Sequence, residues 1–267
     1  MTSLDALYAH LRSLGRVVLG YSGGVDSALL AVAATKSLGR DRFLAVTGRS
    51  AAYPEVQWRT AREIADRFGI PLLEVATDEL SDRRYRRNST DLCYFCKHEL
   101  WRRLHRVAAE RGFDTVVDGT NADDLGDHRP GARAGAEAAV RSPLAELGWT
   151  KAMVRQAASS LALPIWDAPA APCLASRVRY GVAVTPERLR QVEDAEAFLR
   201  SIGVAGNLRV RHLGAAASIE VDPPEMVLLN SRWPVVVDTL SALGFSRVDL
   251  DPEGYRRGSL LAEPRAT

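Results

Sequence analysis

Tyr21-Ser22-Gly23-Gly24-Val25-Asp26-Ser27 links a short apolar run to a helical run, and this junction indicates the fold of the chain. The preceding residues 16–20 have the pattern of a buried strand, and residues 28–34 that of a helix. A pair of glycines at a strand-to-helix turn lets backbone N–H groups converge on an anion. The helix N-terminus adds unpaired donors and the positive end of its dipole. The junction therefore predicts a loop that binds phosphate groups.

The side chains of this loop add ligands of their own. Ser22 and Ser27 carry hydroxyl donors, and Asp26 can hold a magnesium ion that bridges phosphates. We therefore predict phosphate contacts from the residues that line the turn: Ser22, Gly23, Gly24, Asp26 and Ser27. The loop lacks the lysine and the spacing of the GxxxxGK[ST] phosphate loop. The alternative is a tight turn with a Ser/Asp helix cap, which is common after parallel strands.

The composition is that of a soluble globular protein. The chain has 267 residues, enough for one large or two modest domains, and 46% of them are hydrophobic. A net charge of +2 gives no general argument for binding nucleic acid or a membrane surface. No apolar run approaches the length of a membrane span, and the first residues lack the pattern of a secretory signal. We expect a cytoplasmic protein with no nucleic acid and no membrane partner.

Strand and helix patterns alternate as far as about residue 168. Strands are expected at 16–20, 43–47, 71–76 and 115–119, and helices at 4–15, 26–38, 54–69, 97–111 and 150–162. This order predicts a parallel sheet that is covered on both faces. Ligands of such sheets bind beyond the carboxyl ends of the strands, where the glycine loop, Gly48 and Gly119-Thr120-Asn121 fall. We therefore add Gly48 and Thr120 to the predicted nucleotide-binding residues.

The pattern changes after the linker-like residues 167–172. Thr185-Pro186-Glu187 has the chemistry of a helix start, and this helix is expected to run to about Gly203. Residues 208–211 and 218–221 alternate like the strands of a hairpin, followed by a helix at 231–243 and a strand at 246–250. The predicted fold class is α/β, with a parallel-sheet domain over residues 1–168 and a small C-terminal α+β domain over residues 169–267.

The three cysteines suggest a metal site without defining it. Cys93 and Cys96 are close enough in sequence to bind one metal centre, whereas Cys173 lies far along the chain. A CxxC pair occurs in redox sites and in zinc sites, and also without any site. Structural zinc needs four ligands, of which His98 would be the fourth. An iron–sulfur cluster held by three cysteines would leave one iron open. On the residues alone, a cluster, a zinc site and uncoordinated thiols all remain open.

Charged residues supply further candidates. Asp123, Asp124 and Asp127 follow a strand end, where they would hold magnesium or position a substrate, or else cap a helix on a solvated face.

Arg209 and Arg211 fall on one face of a predicted strand, and Glu220 lies on the facing strand. Two guanidinium groups on one side suit a phosphate or two carboxylates, and a surface ladder of salt bridges is the alternative. For the basic run over residues 83–87 we expect a solvated helix face, and attraction of an anionic substrate is the alternative.

Seven stretches carry a family resemblance over nearly the whole chain. They are SGGVDS (22–27), CYFCK (93–97), DGTNADDLGDHRPG (118–131), SPLAELGWTK (142–151), PIWDAPAAPCLASR (164–177), RVRHLG (209–214) and DLDPEGYRRGS (249–259). The first alone is similar to the pyrophosphate loop (PP-loop) of the ATP pyrophosphatases. The combination with CLASR and EGYRRGS resembles the LarE family, ATP-dependent sulfur transferases that help to make the nickel-pincer nucleotide of lactate racemase.

This resemblance implies a reaction and its partners. In that family ATP adenylates a carboxylate of pyridinium-3,5-biscarboxylic acid mononucleotide, sulfur attacks the activated carbonyl, AMP leaves, and a thiocarboxylate forms. The resemblance thus implies a small-molecule nucleotide substrate, ATP, Mg²⁺, a sulfide source and a homo-oligomer. It also implies an adenine nucleotide alpha hydrolase-like PP-loop domain.

Two sulfur donors occur in the family. One form sacrifices a single cysteine in the CLASR-like segment and leaves dehydroalanine, and the other uses three cysteines to hold a [4Fe–4S] cluster that carries an extra sulfide. This chain resembles the second form, because Cys93 and Cys96 accompany Cys173. Sacrifice of Cys173 is the alternative.

The resemblance also assigns residue roles. The expected catalytic residues are Cys173, Asp26, Ser176 and Arg177, and the expected substrate contacts are Arg209, Arg211 and Glu220. Ser218 stands where the resemblance leads us to expect a basic residue.

Three other functions fit parts of the pattern. Another adenylating PP-loop enzyme would be a tRNA thiolase or an amide-forming ligase. The small net charge and the lack of an evident RNA-binding module argue against a thiolase, and a ligase needs an ammonia source, for which no glutaminase segment is present. A module that senses ATP without turnover would release neither AMP nor pyrophosphate.

Overall fold

The computed structural model describes residues 3–126, 130–169, 171–256 and 258–259, so the predicted Asp127 lies outside the described residues. The chain forms two compact units. The first comprises Met1–Glu79 and Asp91–Ala171, and the second comprises Leu80–Thr90 and Pro172–Thr267. The division after residue 171 lies close to the expected one after residue 168. The segment Leu80–Thr90 belongs to the second unit, although the sequence pattern assigned it to the first.

Helices and strands alternate through the first unit and then give way to a different order. In chain order they are α1 (Ser3–Ser13), β1 (Val17–Gly20), α2 (Val25–Leu38), β2 (Phe43–Arg49), α3 (Glu55–Phe68), β3 (Leu72–Ala76), α4 (Arg83–Arg86), α5 (Leu92–Arg111), β4 (Thr115–Val117), α6 (Pro130–Glu137), α7 (Pro143–Glu146), α8 (Lys151–Ser160), α9 (Pro186–Ser201), β5 (Leu208–His212), β6 (Ala216–Val221), α10 (Pro223–Ser231), α11 (Trp233–Ala242) and β7 (Arg247–Leu250). None of the described helices is long and apolar enough to cross a membrane.

The first unit contains the predicted parallel sheet, in the order β3-β2-β1-β4. Successive residues of a strand point to opposite faces, and β1 shows the result. Val17 and Leu19 belong to one buried core and Val18 to another. Because both faces are covered, β1 is a continuous apolar run rather than an alternating one. The predicted α/β fold class is therefore confirmed.

The order of the strands fixes where a ligand can bind. The chain moves outward from β1 to β2 and β3, and it then returns to the other side of β1 to form β4. The connections that follow β1 and β4 therefore diverge, which opens a crevice at the carboxyl ends of these two strands. The glycine loop follows β1, and Gly119-Thr120-Asn121 follows β4, so both border this crevice.

A glycine in the left-handed region allows the loop after β1 to turn. Gly23 has φ +70°, and a Cβ atom added there would lie 2.6 Å from the Cβ of Ala61 in α3. Gly24 differs, because its φ of −75° suits any residue and an added Cβ would meet only the Ser22 hydroxyl, at 3.5 Å. Gly23 is therefore required both by the backbone conformation and by the close approach of α3.

Helix α3 and Tyr53, which lies just before it, also hold the loop by hydrogen bonds. The Tyr53 hydroxyl and the Gln57 amide both donate to the Ser22 carbonyl, each at 2.9 Å. The Tyr21 hydroxyl donates to the Ala61 carbonyl at 3.0 Å. Burial raises the pKa of both tyrosines, so both hydroxyls remain protonated donors at neutral pH. These hydrogen bonds therefore fix the loop against α3 and the residues before it.

The start of α5 differs from the sequence prediction. A helix was expected from residue 97, after the CxxC pair, but α5 begins at Leu92. Cys93 and Cys96 therefore lie in the first turns of the helix. The buried side chain of Leu92 anchors this start, and tertiary packing of that kind is not visible in local propensity. Helix α10 was also missed, although Asp222-Pro223 has the chemistry of a helix start.

The second unit is built on the predicted hairpin. Strand β5 pairs antiparallel with β6, and β6 pairs in parallel with β7. The apolar side chains of Val210, Ile219 and Val221 are buried in one core with residues of α9, α10 and α11. The pairing places Arg209 opposite Glu220 and Arg211 opposite Ser218. An α+β arrangement of this half is therefore as expected.

Asn88 ties the segment Leu80–Thr90 to the rest of the second unit. Its side chain is buried, and its backbone adopts φ 52°, a conformation that asparagine tolerates better than most residues. The amide nitrogen lies within hydrogen-bond distance of the carbonyls of Val178, Arg179 and Val182, at 2.9–3.1 Å. These contacts span about ninety residues of sequence, which explains why no local pattern predicted them.

His212 is a buried polar group of the second unit with a defined tautomer. Its Nδ1 accepts the Gly214 N–H at 3.2 Å, so the proton lies on Nε2, which donates to the Gln191 side-chain oxygen at 2.9 Å. The Gln191 amide in turn donates to the Leu243 carbonyl at 2.9 Å. Burial, with a smaller contribution from Arg188, lowers the pKa of His212 to about 4. The ring is therefore neutral in the folded protein.

The buried His212 predicts a loss of stability in mild acid. The unfolded chain binds a proton near pH 6.5 and the folded chain only near pH 4, so this contribution is complete above pH 6.5 and falls as the pH falls towards 4. The expected loss between pH 7 and pH 4.5 is on the order of 2 kcal/mol. Denaturant midpoints of wild type and His212→Gln at both pH values measure it. His105→Gln, on α5, is the control. A His212→Gln protein with the full wild-type dependence on pH would contradict the assignment.

We expect alanine substitutions of the two adjacent loop glycines to lower the free energy of unfolding by different amounts. Gly23→Ala should lower the free energy of unfolding by on the order of 1–3 kcal/mol, because the left-handed conformation and the contact with Ala61 both oppose a Cβ. Gly24→Ala should change it by about 0.5 kcal/mol or less. Thermal or denaturant unfolding without nucleotide measures both. Equal losses in the two variants would mean that Gly23 is not the constrained position.

Candidate active site

The two serines of the glycine loop have different surroundings. The Ser27 hydroxyl is buried, donates to the Gly24 carbonyl at 3.0 Å and lies 3.3 Å from the Ser22 N–H, from which it accepts. Ser22 is exposed, and its hydroxyl lies 3.1 Å from that of Ser27. Ser27 therefore braces the turn from inside, while Ser22 lies at its exposed surface.

The loops after β1 and β4 meet as the sequence suggested. A Cβ atom added at Gly119 would lie 2.8 Å from the backbone nitrogen of Ser27, so only glycine allows this approach. The Asn121 side-chain amide donates to Oδ1 of Asp26 at 3.1 Å. Thr120 is turned to one side, because its N–H and hydroxyl both donate to Asp118, at 3.0 and 2.8 Å. Its predicted contact with nucleotide remains a prediction.

Lys151 is a residue of this site that the sequence analysis missed. Its Nζ lies 2.5 Å from Oδ2 of Asp26, although 125 residues separate the two. One signal was available. The chain has 35 basic residues, and its only lysines are Lys36, Lys97 and Lys151. Because almost all basic residues of this chain are arginines, the three lysines are candidates for a specific role.

The acidic residues after β4 act as caps in the structure. Asp124 accepts the Asn121 N–H at 3.2 Å, and Asp123 accepts the Lys151 N–H at 2.8 Å. Thr150 caps the same helix by accepting the Met153 N–H at 3.3 Å. These contacts fit the helix-cap alternative for Asp123 and Asp124, and they fix the start of α8 beside Asp26.

Gly48 has a packing reason to be glycine. It lies in β2 opposite Val75, and a Cβ atom there would be 2.8 Å from Leu100 of α5 and 3.0 Å from Thr77. The close approach of β2 and α5 therefore accounts for this glycine without a ligand. Its predicted contact with nucleotide is a separate matter and remains a prediction.

The cysteines divide between the two units. Cys93 is exposed and Cys96 half-buried, and their spacing of three puts them on one face of α5. Cys173 precedes a short 3-10 helix, Leu174–Arg177, in the second unit. Across residues 3–126, 130–169, 171–256 and 258–259, no group of three or more His, Cys, Asp or Glu side chains is arranged to hold a metal ion.

Polar groups converge on the backbone of Cys173. Its carbonyl accepts the Ser176 hydroxyl at 2.7 Å and Nη1 of Arg177 at 2.8 Å. Arg177 is buried, also donates to the Pro172 carbonyl, and pairs with both carboxylate oxygens of Glu196, at 3.1 and 3.2 Å. Glu196, on α9, was not predicted from the sequence. It fixes the guanidinium that the CLASR segment supplies.

The predicted substrate residues lie in the same cluster. Arg211 donates to the Glu220 carboxylate at 3.0 Å, to the Ser176 carbonyl at 3.1 Å and to the Ser259 hydroxyl at 2.9 Å. The Arg209 guanidinium lies over the Tyr255 ring, 5.3 Å from its centre. The motifs CLASR, RVRHLG and EGYRRGS, which are separate in sequence, therefore meet in the second unit.

This cluster, which we call the arginine cluster, has an excess of positive charge. It consists of Arg177, Arg209, Arg211, Glu196 and Glu220, that is, three guanidinium groups against two carboxylates. Burial, together with the neighbouring Arg177, lowers the pKa of Arg209. Guanidinium groups held in this way suit a phosphate or carboxylate ligand. Because the ion pairs are buried, the cluster is not the surface ladder that we considered as the alternative.

The basic run over residues 83–87 is exposed apart from Tyr85. Arg84 forms an ion pair with Asp82 at 2.8 Å. The run is thus the solvated helix face that we expected.

Residues 6–99, which include the glycine loop, match the NAD synthase family. Complete relatives extend the similarity along the chain. An uncharacterized protein of Synechocystis sp. is 40% identical over 97% of both chains. An uncharacterized protein of Methanocaldococcus jannaschii is 29% identical over 90% of this chain and 91% of the relative.

A third relative has a named activity. The pyridinium-3,5-bisthiocarboxylic acid mononucleotide synthase of Lactiplantibacillus plantarum is 35% identical to this chain over 97% of its residues and 94% of the relative. With the PP-loop domain, the paired loops after β1 and β4, and the CLASR segment in the arginine cluster, this similarity identifies the chain as a member of the LarE family of ATP-dependent sulfur transferases.

Proposed function

We propose that this enzyme uses ATP to adenylate a carboxylate of pyridinium-3,5-biscarboxylic acid mononucleotide and converts it to a thiocarboxylate. The observation that carries the proposal is the arginine cluster, in which the buried Arg177 donates to the Cys173 carbonyl and the buried Arg211 donates to the Ser176 carbonyl. The substrate has a phosphate and two carboxylates, which are the groups that guanidinium side chains bind best. The relative from Lactiplantibacillus plantarum supports the proposal, because its name gives pyridinium-3,5-bisthiocarboxylic acid mononucleotide as its product.

In the first step the chain activates a poor electrophile. A carboxylate oxygen of the substrate attacks the α-phosphorus of ATP, and pyrophosphate leaves with the electrons of the broken P–O bond. Backbone N–H groups of the glycine loop and the N-terminus of α2 would bind the departing pyrophosphate. Asp26 fits a ligand of Mg²⁺, which when bound supplies positive charge to the phosphates.

In the second step sulfur replaces the activated oxygen. Sulfur attacks the carbonyl carbon, and AMP leaves with the oxygen that joined the two groups. Arg209 and Arg211 would hold the substrate, with Glu220 fixing the orientation of Arg211. Both steps need the substrate to stay in place, and buried charged groups that are already oriented lose little freedom on binding.

We propose Cys93, Cys96 and Cys173 as ligands of a [4Fe–4S] cluster. The donor set fits, because thiolates are the preferred ligands and Cys93 and Cys96 lie on one face of α5. Such a cluster, when bound, would supply a sulfide on its open iron. An external sulfide source would then restore it.

One observation favours the alternative in which Cys173 gives up its own sulfur. In that route Sγ of Cys173 attacks the activated carbonyl, and AMP leaves to give a thioester. Loss of the Cα proton to water then breaks the Cβ–Sγ bond, so that the thiocarboxylate leaves and dehydroalanine remains. Negative charge develops on the Cys173 carbonyl oxygen as the Cα proton is lost. The Ser176 hydroxyl and Arg177 guanidinium already donate to that oxygen.

We also propose that the protein acts in the cytoplasm as a homo-oligomer, as the family resemblance implies. Light scattering of the purified protein tests the oligomeric state.

The proposed reaction predicts that ATP is cleaved between its α- and β-phosphates and that this cleavage depends on Asp26. Wild type with ATP, Mg²⁺ and the dicarboxylate nucleotide should form AMP, and Asp26→Asn should slow AMP formation by on the order of a hundredfold or more. Asp66→Asn, at an exposed position on α3, is the control and should keep wild-type activity. Quantitative ³¹P NMR of the products measures both. Formation of ADP instead of AMP would refute the proposed reaction.

The sulfur source makes a separate prediction about the cysteines. Each single change of Cys93, Cys96 or Cys173 to alanine should lower the iron content of anaerobically purified protein. With added sulfide, wild type should turn over repeatedly and keep Cys173 intact. Iron analysis and intact mass measure these outcomes. One turnover per chain, with loss of hydrogen sulfide from residue 173 and no iron, would contradict the cluster and favour sacrifice of Cys173.

A further inference from the structure

The carboxylate of Asp26 has a partner at each oxygen. Asn121 donates to Oδ1 at 3.1 Å, and the Lys151 ammonium lies 2.5 Å from Oδ2. The proposed function requires the same carboxylate to accept a divalent cation. An ammonium group 2.5 Å from Oδ2 opposes a metal ion at the same carboxylate, because the two cations repel each other. Binding of the cation therefore favours departure of Lys151 from Asp26.

The anchoring of Lys151 allows this movement. Its backbone is fixed at the start of α8, where Asp123 accepts its N–H at 2.8 Å and Thr150 caps the helix. Its side chain is 37% exposed, so solvent borders the ammonium group. The lysine side chain is a flexible chain of four carbons that joins the fixed backbone to a compact ammonium group. The ammonium group can therefore change partners while the helix stays in place.

A nucleotide bound at the glycine loop would give the ammonium group a second partner. Phosphate loops of the GxxxxGK[ST] type carry their own lysine, and residues 21–27 have none. Lys151 brings the missing positive charge to the same loop from a distant part of the chain. Phosphate oxygens of a bound nucleotide would attract it more strongly than a carboxylate that a metal ion has already neutralised.

We propose that Lys151 is the counter-ion of Asp26 in the nucleotide-free enzyme and moves to a phosphate oxygen of ATP when a divalent cation takes its place. This inference rests on the proposed use of ATP. It makes binding of the cation and of the nucleotide mutually favourable, because the ammonium group opposes the cation until phosphates are present. A site without nucleotide therefore stays largely free of metal.

The first test needs neither nucleotide nor substrate. Mn²⁺ binding to nucleotide-free protein is titrated by electron paramagnetic resonance for wild type, Lys151→Met and Lys36→Met. Lys151→Met should bind Mn²⁺ on the order of tenfold more tightly, because the competing charge is gone. Lys36→Met, at an exposed position on α2, should match wild type. Unchanged or weaker Mn²⁺ binding by Lys151→Met would overturn the proposal.

An arginine variant separates charge from packing. Lys151→Arg keeps the positive charge, so its Mn²⁺ affinity should stay within about twofold of wild type. Its apparent KM for ATP should rise, because the larger, planar guanidinium does not fit the position that the compact ammonium group occupies at this loop. Tighter Mn²⁺ binding by Lys151→Arg as well would show that side-chain packing, rather than charge, controls the site.

A third measurement uses the unmodified protein. Because the chain has three lysines, wild type labelled with ¹³C at lysine Cε gives few signals, which Lys36→Arg and Lys97→Arg help to assign. The Lys151 signal should shift when Mg²⁺ and α,β-methylene-ATP are added together. A Lys151 signal that does not move would overturn the proposal. If wild type formed no AMP, the proposed function would be refuted, but the Mn²⁺ titration would still test the role of Lys151. The failure of the proposed function and the failure of this inference are therefore distinguishable.

Discussion

The close approach of Gly119 to the backbone of Ser27 is the constraint on which the first unit depends. The strand order opens a crevice between β1 and β4, and this contact closes the two flanking loops on each other. Asn121 then reaches Asp26, and the caps after β4 bring the start of α8 to the same carboxylate. A Cβ atom at position 119 would lie 2.8 Å from the Ser27 backbone nitrogen, so any other residue there would push the two loops apart.

The second unit buries three guanidinium groups, those of Arg177, Arg209 and Arg211. Glu196 and Glu220 pair with Arg177 and Arg211, so the cost of removing guanidinium groups from water is offset within the fold. The register of β5 and β6 contributes to this arrangement, because it places Glu220 directly opposite Arg209 and one pair away from Arg211, with which it forms the ion pair. Because the fold itself orients these guanidinium groups, binding of an anionic substrate costs less side-chain conformational entropy.

Local patterns predicted the parallel sheet, the glycine loop and the hairpin that carries Arg209 and Arg211, because each depends on period, turn chemistry or neighbouring residues. The features that the sequence did not predict depend on distant contacts. Lys151 contacts Asp26 although 125 residues separate the two. The Asn88 side chain donates to the Arg179 carbonyl, which is 91 residues away. The start of α5 depends on the burial of Leu92, and Glu196 gains its role only when α9 packs beside Arg177. Composition held one unused signal, the scarcity of lysine.

The path of a single oxygen atom tests the central claim, that this chain activates a carboxylate by joining it to AMP. The substrate is prepared with ¹⁸O in both oxygens of each carboxylate and is converted with unlabelled ATP in ordinary water. Attack of sulfur on an acyl-adenylate expels AMP with the bridging oxygen, so mass spectrometry should find one ¹⁸O atom in each AMP formed with thiocarboxylate. Thiocarboxylate accompanied by unlabelled AMP would contradict the account, because the carboxylate would then never have been bonded to the α-phosphorus.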